Sequence, residues 1–187
     1  GKLQGKLVRI RPDGAIPGDN PFVGRDDARP EIWSTGHRNM QGAALHPVTR
    51  RLWTHEHGPM GGDEINLPEA GKNYGWPLVT HGVDYSGQPV PGAVGREAPG
   101  MEPPHYVWEK SPGVSGMAFY AGDRMPGWNG NLFIGALVGS ALIRLELDKG
   151  IPRAAFDFHG KGFVIQRLDA ALPHGPGMSH GEQNIVA

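Results

Sequence analysis

Asn131-Leu132-Phe133-Ile134-Gly135-Ala136, followed by Ser140 to Leu147 with Leu142-Ile143-Arg144-Leu145 at its centre, is the stretch that decides the architecture. Each apolar run is short and set off by Gly or polar residues, which is the length and punctuation of β-strands. Asp148-Lys149-Gly150 supplies turn chemistry after the second run. Working outward, Gly116-Met117-Ala118-Phe119-Tyr120 reads as a preceding strand. Nearer the N-terminus the same pattern recurs in Lys6 to Arg11, Glu31 to Thr35, Ala43 to Pro47 and Arg51 to His57. Between Gly58 and Gly116 the chain is dense in Gly, Pro and aromatics and reads as largely loops. No stretch combines sustained helical periodicity with capping residues. The expected fold class is therefore all-β, with many short strands and turns, and on periodicity alone a propeller and a sandwich remain open.

Composition agrees. Among 187 residues, Gly counts 30 and Pro 18, and they fall between the apolar runs, where they act as turns. The formal net charge is −1, from 18 Lys+Arg against 19 Asp+Glu, and no basic cluster stands out, which argues against a nucleic-acid partner. No apolar run is long enough for a membrane span. The absence of Cys excludes disulfides, thiolate metal sites and a Cys nucleophile.

Three stretches could carry chemistry. Thr35-Gly36-His37-Arg38-Asn39 places a planar cation and an amide in one loop, suited to a carboxylate or quinone oxygen; it reads equally as a surface turn with a solvated Arg. In His55-Glu56-His57 the two His share one face of a strand and the Glu points to the other, so a zinc site is disfavoured. The following Gly58-Pro59-Met60-Gly61-Gly62-Asp63-Glu64 loop can offer backbone carbonyls and carboxylates, the hard oxygens that Ca²⁺ prefers. A tight turn whose acids cap backbone N–H groups would look the same. Gly71-Lys72-Asn73-Tyr74-Gly75-Trp76-Pro77 and Gly82-Val83-Asp84-Tyr85-Ser86-Gly87 interleave aromatics with Gly, as in a stacking wall for a planar ligand or sugar, or in a plug closing a β-domain.

Together with Ser115 to Tyr120 and Asn131 to Leu137, these segments resemble the soluble, pyrroloquinoline-quinone-dependent aldose sugar dehydrogenases of the glucose/sorbosone dehydrogenase family. The resemblance runs in order from about Gly5 to Leu147. It implies a six-bladed β-propeller, of which this chain would supply about three blades, with a partial propeller over 1–148 and a divergent tail over 149–187. It further implies a periplasmic quinoprotein oxidoreductase that converts aldose sugars such as glucose to lactones, passing hydride to pyrroloquinoline quinone beside Ca²⁺ and then electrons to an external acceptor. Carried over by position, Arg38, Asn39 and Tyr85 would contact the quinone. Gly58 and Pro59 would give carbonyls to Ca²⁺, and Glu64 and Tyr74 would fall near a further Ca²⁺ site.

The departures from the family are specific. Its general-base His lies upstream of the Arg-Asn stretch, and none of the nine His here matches it. Val138 stands where relatives place a cofactor-contacting Lys. The segment after Lys149, including Phe156-Asp157-Phe158-His159-Gly160, lacks the family's Arg-x-Arg-Asp and Gly-Pro-Asp-Gly elements. The expectation is an incomplete copy, inactive alone, completed by the missing blades or by self-association. A non-catalytic calcium-containing module that binds a glycan or protein is the alternative.

Overall fold

A computed structural model describes residues 2–148, 150–159 and 184–186. The described chain is all-β. Its elements are β1 (Lys6–Ile10), β2 (Ile32–Thr35), β3 (Met40–Leu45), β4 (Leu52–Glu56), β5 (Asp63–Asn66), β6 (Tyr106–Trp108), β7 (Val114–Phe119), β8 (Leu132–Ala136), β9 (Ala141–Asp148), β10 (Ile151–His159) and β11 (Asn184–Val186). A single 3₁₀ turn, Pro126–Trp128, precedes β8, and no α-helix occurs among the described residues.

The strands form three antiparallel sheets. One is the three-stranded β11-β1-β2; the others are four-stranded meanders, β3-β4-β5-β6 and β7-β8-β9-β10. Between the meanders lies the core. Trp53 and Ile65 on the first face Val114, Leu132, Ile134, Ala136, Ile143 and Leu145 on the second, with Phe119, Tyr106 and Trp108 packed around them. This is the alternation visible in the sequence: positions 132, 134 and 136 of β8, and 143 and 145 of β9, share one side of their sheet. The Trp53 ring meets the Phe119 and His105 rings edge-on, with centroids 5.5 and 5.1 Å apart.

The expected strands appear within two residues of where the pattern put them, except that β3 starts three residues earlier, at Met40. Between Gly58 and Gly116, where loops were expected, the structure has two strands, β5 and β6. β5 lacks the usual composition, whereas β6, Tyr106-Val107-Trp108, has it but is very short. Asp63-Glu64-Ile65-Asn66 is mostly polar, and its pairing with β4 outweighs weak intrinsic preference. β6 is three residues long and follows Pro103 and Pro104. β10 was also unforeseen; it pairs along its length with β9, from Ile151 opposite Asp148 to His159 opposite Ala141. It is an edge strand, which accommodates Pro152 near its start. Of the segment 149–187, all but 150–159 and 184–186 lies outside the described residues.

Candidate functional site

Because β4 alternates, Trp53 and His55 lie on the side of the apolar core while Thr54 and Glu56 lie on the opposite side. Glu56 is 2% exposed. Its Oε2 accepts the backbone N–H groups of Arg38 and, at 3.0 Å, Asn39. Its Oε1 lies 3.0 Å from His37 Nδ1 and accepts Asn66 Nδ2 at 3.0 Å. A carboxylate only accepts, so in the neutral ring the His37 proton sits on Nδ1 and Nε2 accepts from Ser34 Oγ, 2.8 Å away. Glu64 is directly opposite Glu56 in the β4–β5 ladder, and Asn66 Nδ2 also donates to it at 2.9 Å. Burial, reinforced by the nearby Glu56 and Asp63 carboxylates, pushes the Glu64 carboxyl up to about 8.

Asp63 organises the adjacent loop. It is fully buried, accepting Gly58 N–H on Oδ1 and Val114 N–H on Oδ2, each at 3.1 Å. This fixes the second residue after β4 and ties both meanders together. Gly58 is required here, since a Cβ would overlap the Gly61 and Gly62 backbone. Among the described residues the Gly58 and Pro59 carbonyls accept no hydrogen bond. Met60 and Val83 pair reciprocally, at 2.9 and 3.1 Å, which brings the 83–87 turn alongside.

The third stretch wraps the end of β2. Tyr74 N–H donates to Thr35 O at 2.8 Å and Trp76 N–H to Gly36 O at 2.9 Å. Gly36 has φ +75° and lies against Asn73 and Gly75, so no side chain fits there. The Tyr74 ring stacks on His37 with centroids 4.8 Å apart. Its hydroxyl donates to Leu67 O at 2.8 Å and accepts Glu69 N–H at 3.1 Å, and burial first of all raises its pKa to about 12. The Arg38 guanidinium lies 5.1 Å from the centre of the Trp76 ring, and its Nη1 donates to His57 O at 3.2 Å. Arg38 Nε is buried with no protein partner.

Arg38, Gly58, Glu64 and Tyr74 meet on one cavity of about 20 Å³, together with Glu56, His57 and Trp76. That volume suits one water molecule or a monoatomic ion. Asn39 adjoins it through Glu56 and through the His57 N–H bond to its carbonyl, 3.0 Å. Pro59 lies in the neighbouring loop but does not line the cavity. Tyr85 is 72% exposed, at the tip of the turn beyond Val83. Among the described residues no cluster of three His, Asp or Glu could by itself hold a metal. Glu56 is turned away from His55 and His57, as strand alternation requires, which leaves no zinc triad. Glu56, Asn66 and His37 are not among the expected site residues; Asp63, weighed as a Ca²⁺ oxygen or as a cap for backbone N–H groups, acts here as the cap. The signal was present in Glu56 and Asp63, acids embedded in strand-like runs, but spacing does not tell which loop they hold.

The family described as Glucose / Sorbosone dehydrogenase matches residues 1–160. The protein named "Aldose sugar dehydrogenase YliI", from Escherichia coli (strain K12), is 54% identical over 147 residues, covering 79% of this chain and 40% of that protein. A solved structure titled "Crystal structure of glucose dehydrogenase" is 58% identical, with a TM-score of 0.82 over 83% of this chain and 45% of that one. The pyrroloquinoline-quinone-bound form of an aldose sugar dehydrogenase from Streptomyces coelicolor is 31% identical, with a TM-score of 0.62 over 84% of this chain and 40% of that one. The chain thus spans about two-fifths of the length of these relatives.

Proposed function

The chain belongs to the glucose/sorbosone dehydrogenase family, and on that premise we propose that it carries the cofactor-holding part of a quinoprotein that oxidises aldose sugars to lactones. The observation that carries this proposal is Arg38 Nε, buried without a protein partner beside an ion-sized cavity that Arg38 shares with Gly58, Glu64 and Tyr74. A buried guanidinium nitrogen without a protein partner suits an anionic, planar ligand rich in carboxylate and quinone oxygens. The two free carbonyls at Gly58 and Pro59 suit Ca²⁺, which takes uncharged oxygen ligands readily. Glu64 supplies a carboxyl beside the small cavity. Tyr74 would contribute through its main chain, since its hydroxyl is already bonded on both sides. Asn39 and Tyr85 complete the proposed quinone contacts, from the loop held by Glu56 and from the open turn respectively.

When bound, pyrroloquinoline quinone would supply the two-electron acceptor for the sugar's anomeric hydride, and Ca²⁺ the positive charge that favours it. The chain's own residues bind and orient. Arg38 offers a fixed fork of donors braced on Trp76, and Asp63 holds the Gly58 loop in place. The general base belongs, on this proposal, to residues beyond these 187. The three sheets are proposed as parts of a six-bladed ring completed by further blades or by a second copy. A periplasmic setting and an external electron acceptor go with the same proposal.

Calorimetric titration of the chain with pyrroloquinoline quinone, with Ca²⁺ and then with a chelator, is the test. Calcium-dependent binding that Arg38→Ala weakens about tenfold or more, without abolishing it, is the expected result. A folded chain that binds neither overturns the proposal and favours a non-catalytic module recognising a glycan or protein.

A further inference from the structure

We infer that Glu56 is the positioning residue of the site: its single carboxylate sets the loop that presents Arg38 and Asn39. This rests on the functional proposal for what the loop binds, but the positioning itself is read from the chain's own geometry.

Four donors from three parts of the fold converge on this one group. The Arg38 and Asn39 amides come from the site loop, His37 Nδ1 from the end of β2, and Asn66 Nδ2 from β5. Consecutive backbone N–H groups both aimed at one oxygen constrain the loop's direction far more than a single bond would. His57 N–H, donating to Asn39 O at 3.0 Å, closes the ring from the strand that carries Glu56. His37 is fixed in turn by Ser34 and by stacking on Tyr74, so the loop's first residue cannot drift. What remains for Arg38 is the side chain alone, laid on Trp76 with one nitrogen on His57 O and Nε left unpartnered. A buried carboxylate with four donors is well satisfied, and its removal would leave two adjacent loop amides without acceptors. Asn66 is shared by Glu56 and Glu64, so the same network reaches the cavity wall.

The first measurement uses the wild-type chain. Amide hydrogen exchange resolved by residue should show Arg38 and Asn39 protected like the sheet amides of Thr54 and Ile65, although they lie in a loop. Exchange at the rate of open loop amides overturns the inference, whether or not any quinone binds. In Glu56→Gln, and in Glu56→Ala should the milder change be accommodated, protection at residues 38 and 39 should fall at least tenfold while that of β8 and β9 is kept. An equal loss throughout the sheets would mean a general stabilising role and would also overturn it. The ligand measurement is a double-mutant cycle with Arg38→Ala, read as the dissociation constant for pyrroloquinoline quinone with Ca²⁺. Glu56→Gln should weaken binding about tenfold or more in the presence of Arg38 and change it little in Arg38→Ala. Additive losses would show that Glu56 does not act through Arg38. If the wild-type chain binds no quinone, the functional proposal fails and the exchange data alone decide the positioning role.

Discussion

The two faces of β4 and β5 are held by different physics. On one, Trp53 and Ile65 pack into hydrocarbon from β7, β8 and β9. On the other, buried Glu56 and Asn66 and half-buried Glu64 are joined by hydrogen bonds to one another and to the 37–39 loop. The apolar face gains stability in proportion to area and tolerates approximate shape. The polar face gains little net energy from each bond but loses heavily when one partner is missing. It follows that the apolar side supports the fold and the polar side fixes geometry, and the candidate site grows from the polar side.

The largest effect expected from this contrast is on the apolar face. Trp53→Ala should lower stability by about 3–5 kcal/mol, measured by urea unfolding of the whole chain. A loss under about 1 kcal/mol would mean that the two meanders do not share one core. On the polar face, Asn66→Ala removes one amide serving two carboxyls and should cost about 1–3 kcal/mol. It should also leave the Trp53 environment, followed by fluorescence, unchanged. If Asn66→Ala shifts the part of the emission that Trp53→Ala removes, the two faces are not separable.

The contrast also has a pH signature. Glu64 has its carboxyl raised to about 8 against an ordinary value of 4.5 in the unfolded chain. The folded state therefore holds the extra proton, and this contribution is complete below about pH 4.5 and lost as pH rises through about 8. Unfolding midpoints should fall across that window, and Glu64→Gln should flatten the fall. Bound Ca²⁺ should oppose it by favouring the ionised carboxyl. On the other face His55 is fully buried, and desolvation lowers its pKa. Its contribution runs the opposite way, present above its unfolded value of about 6.5 and lost as pH falls through the lower folded value. A smaller acid-side loss that His55→Phe reduces would sharpen the comparison; no change would remove His55 from it. The smallest effect belongs to neither face. Arg25→Ala breaks an exposed pair with Asp27 and should leave the midpoint unmoved.

The strands with apolar alternation, β1, β8 and β9, were legible because their buried faces are written as every second residue. β5 was not, because Asp63, Glu64 and Asn66 look like a loop until their partners are known. The three chemistry-bearing stretches were also legible, and the structure brings Arg38, Gly58, Glu64 and Tyr74 to one cavity while leaving Tyr85 exposed on its turn. The roles of Glu56 and Asp63 were hidden. Glu56 stands 17 positions from Asn39, and Asp63 stands 51 from Val114, and no local spacing encodes either contact.

By itself, the sequence determined the all-β class, the turns and the family, because these depend on periodicity, on Gly and Pro chemistry and on ordered short motifs. Only the tertiary structure decided which buried acid holds which loop, that burial beside Glu56 and Asp63 raises the Glu64 carboxyl, and that Tyr74 has no free hydroxyl. Those outcomes depend on distances between segments remote in the chain and on the loss of water around them, and both arise only when the sheets close on one another.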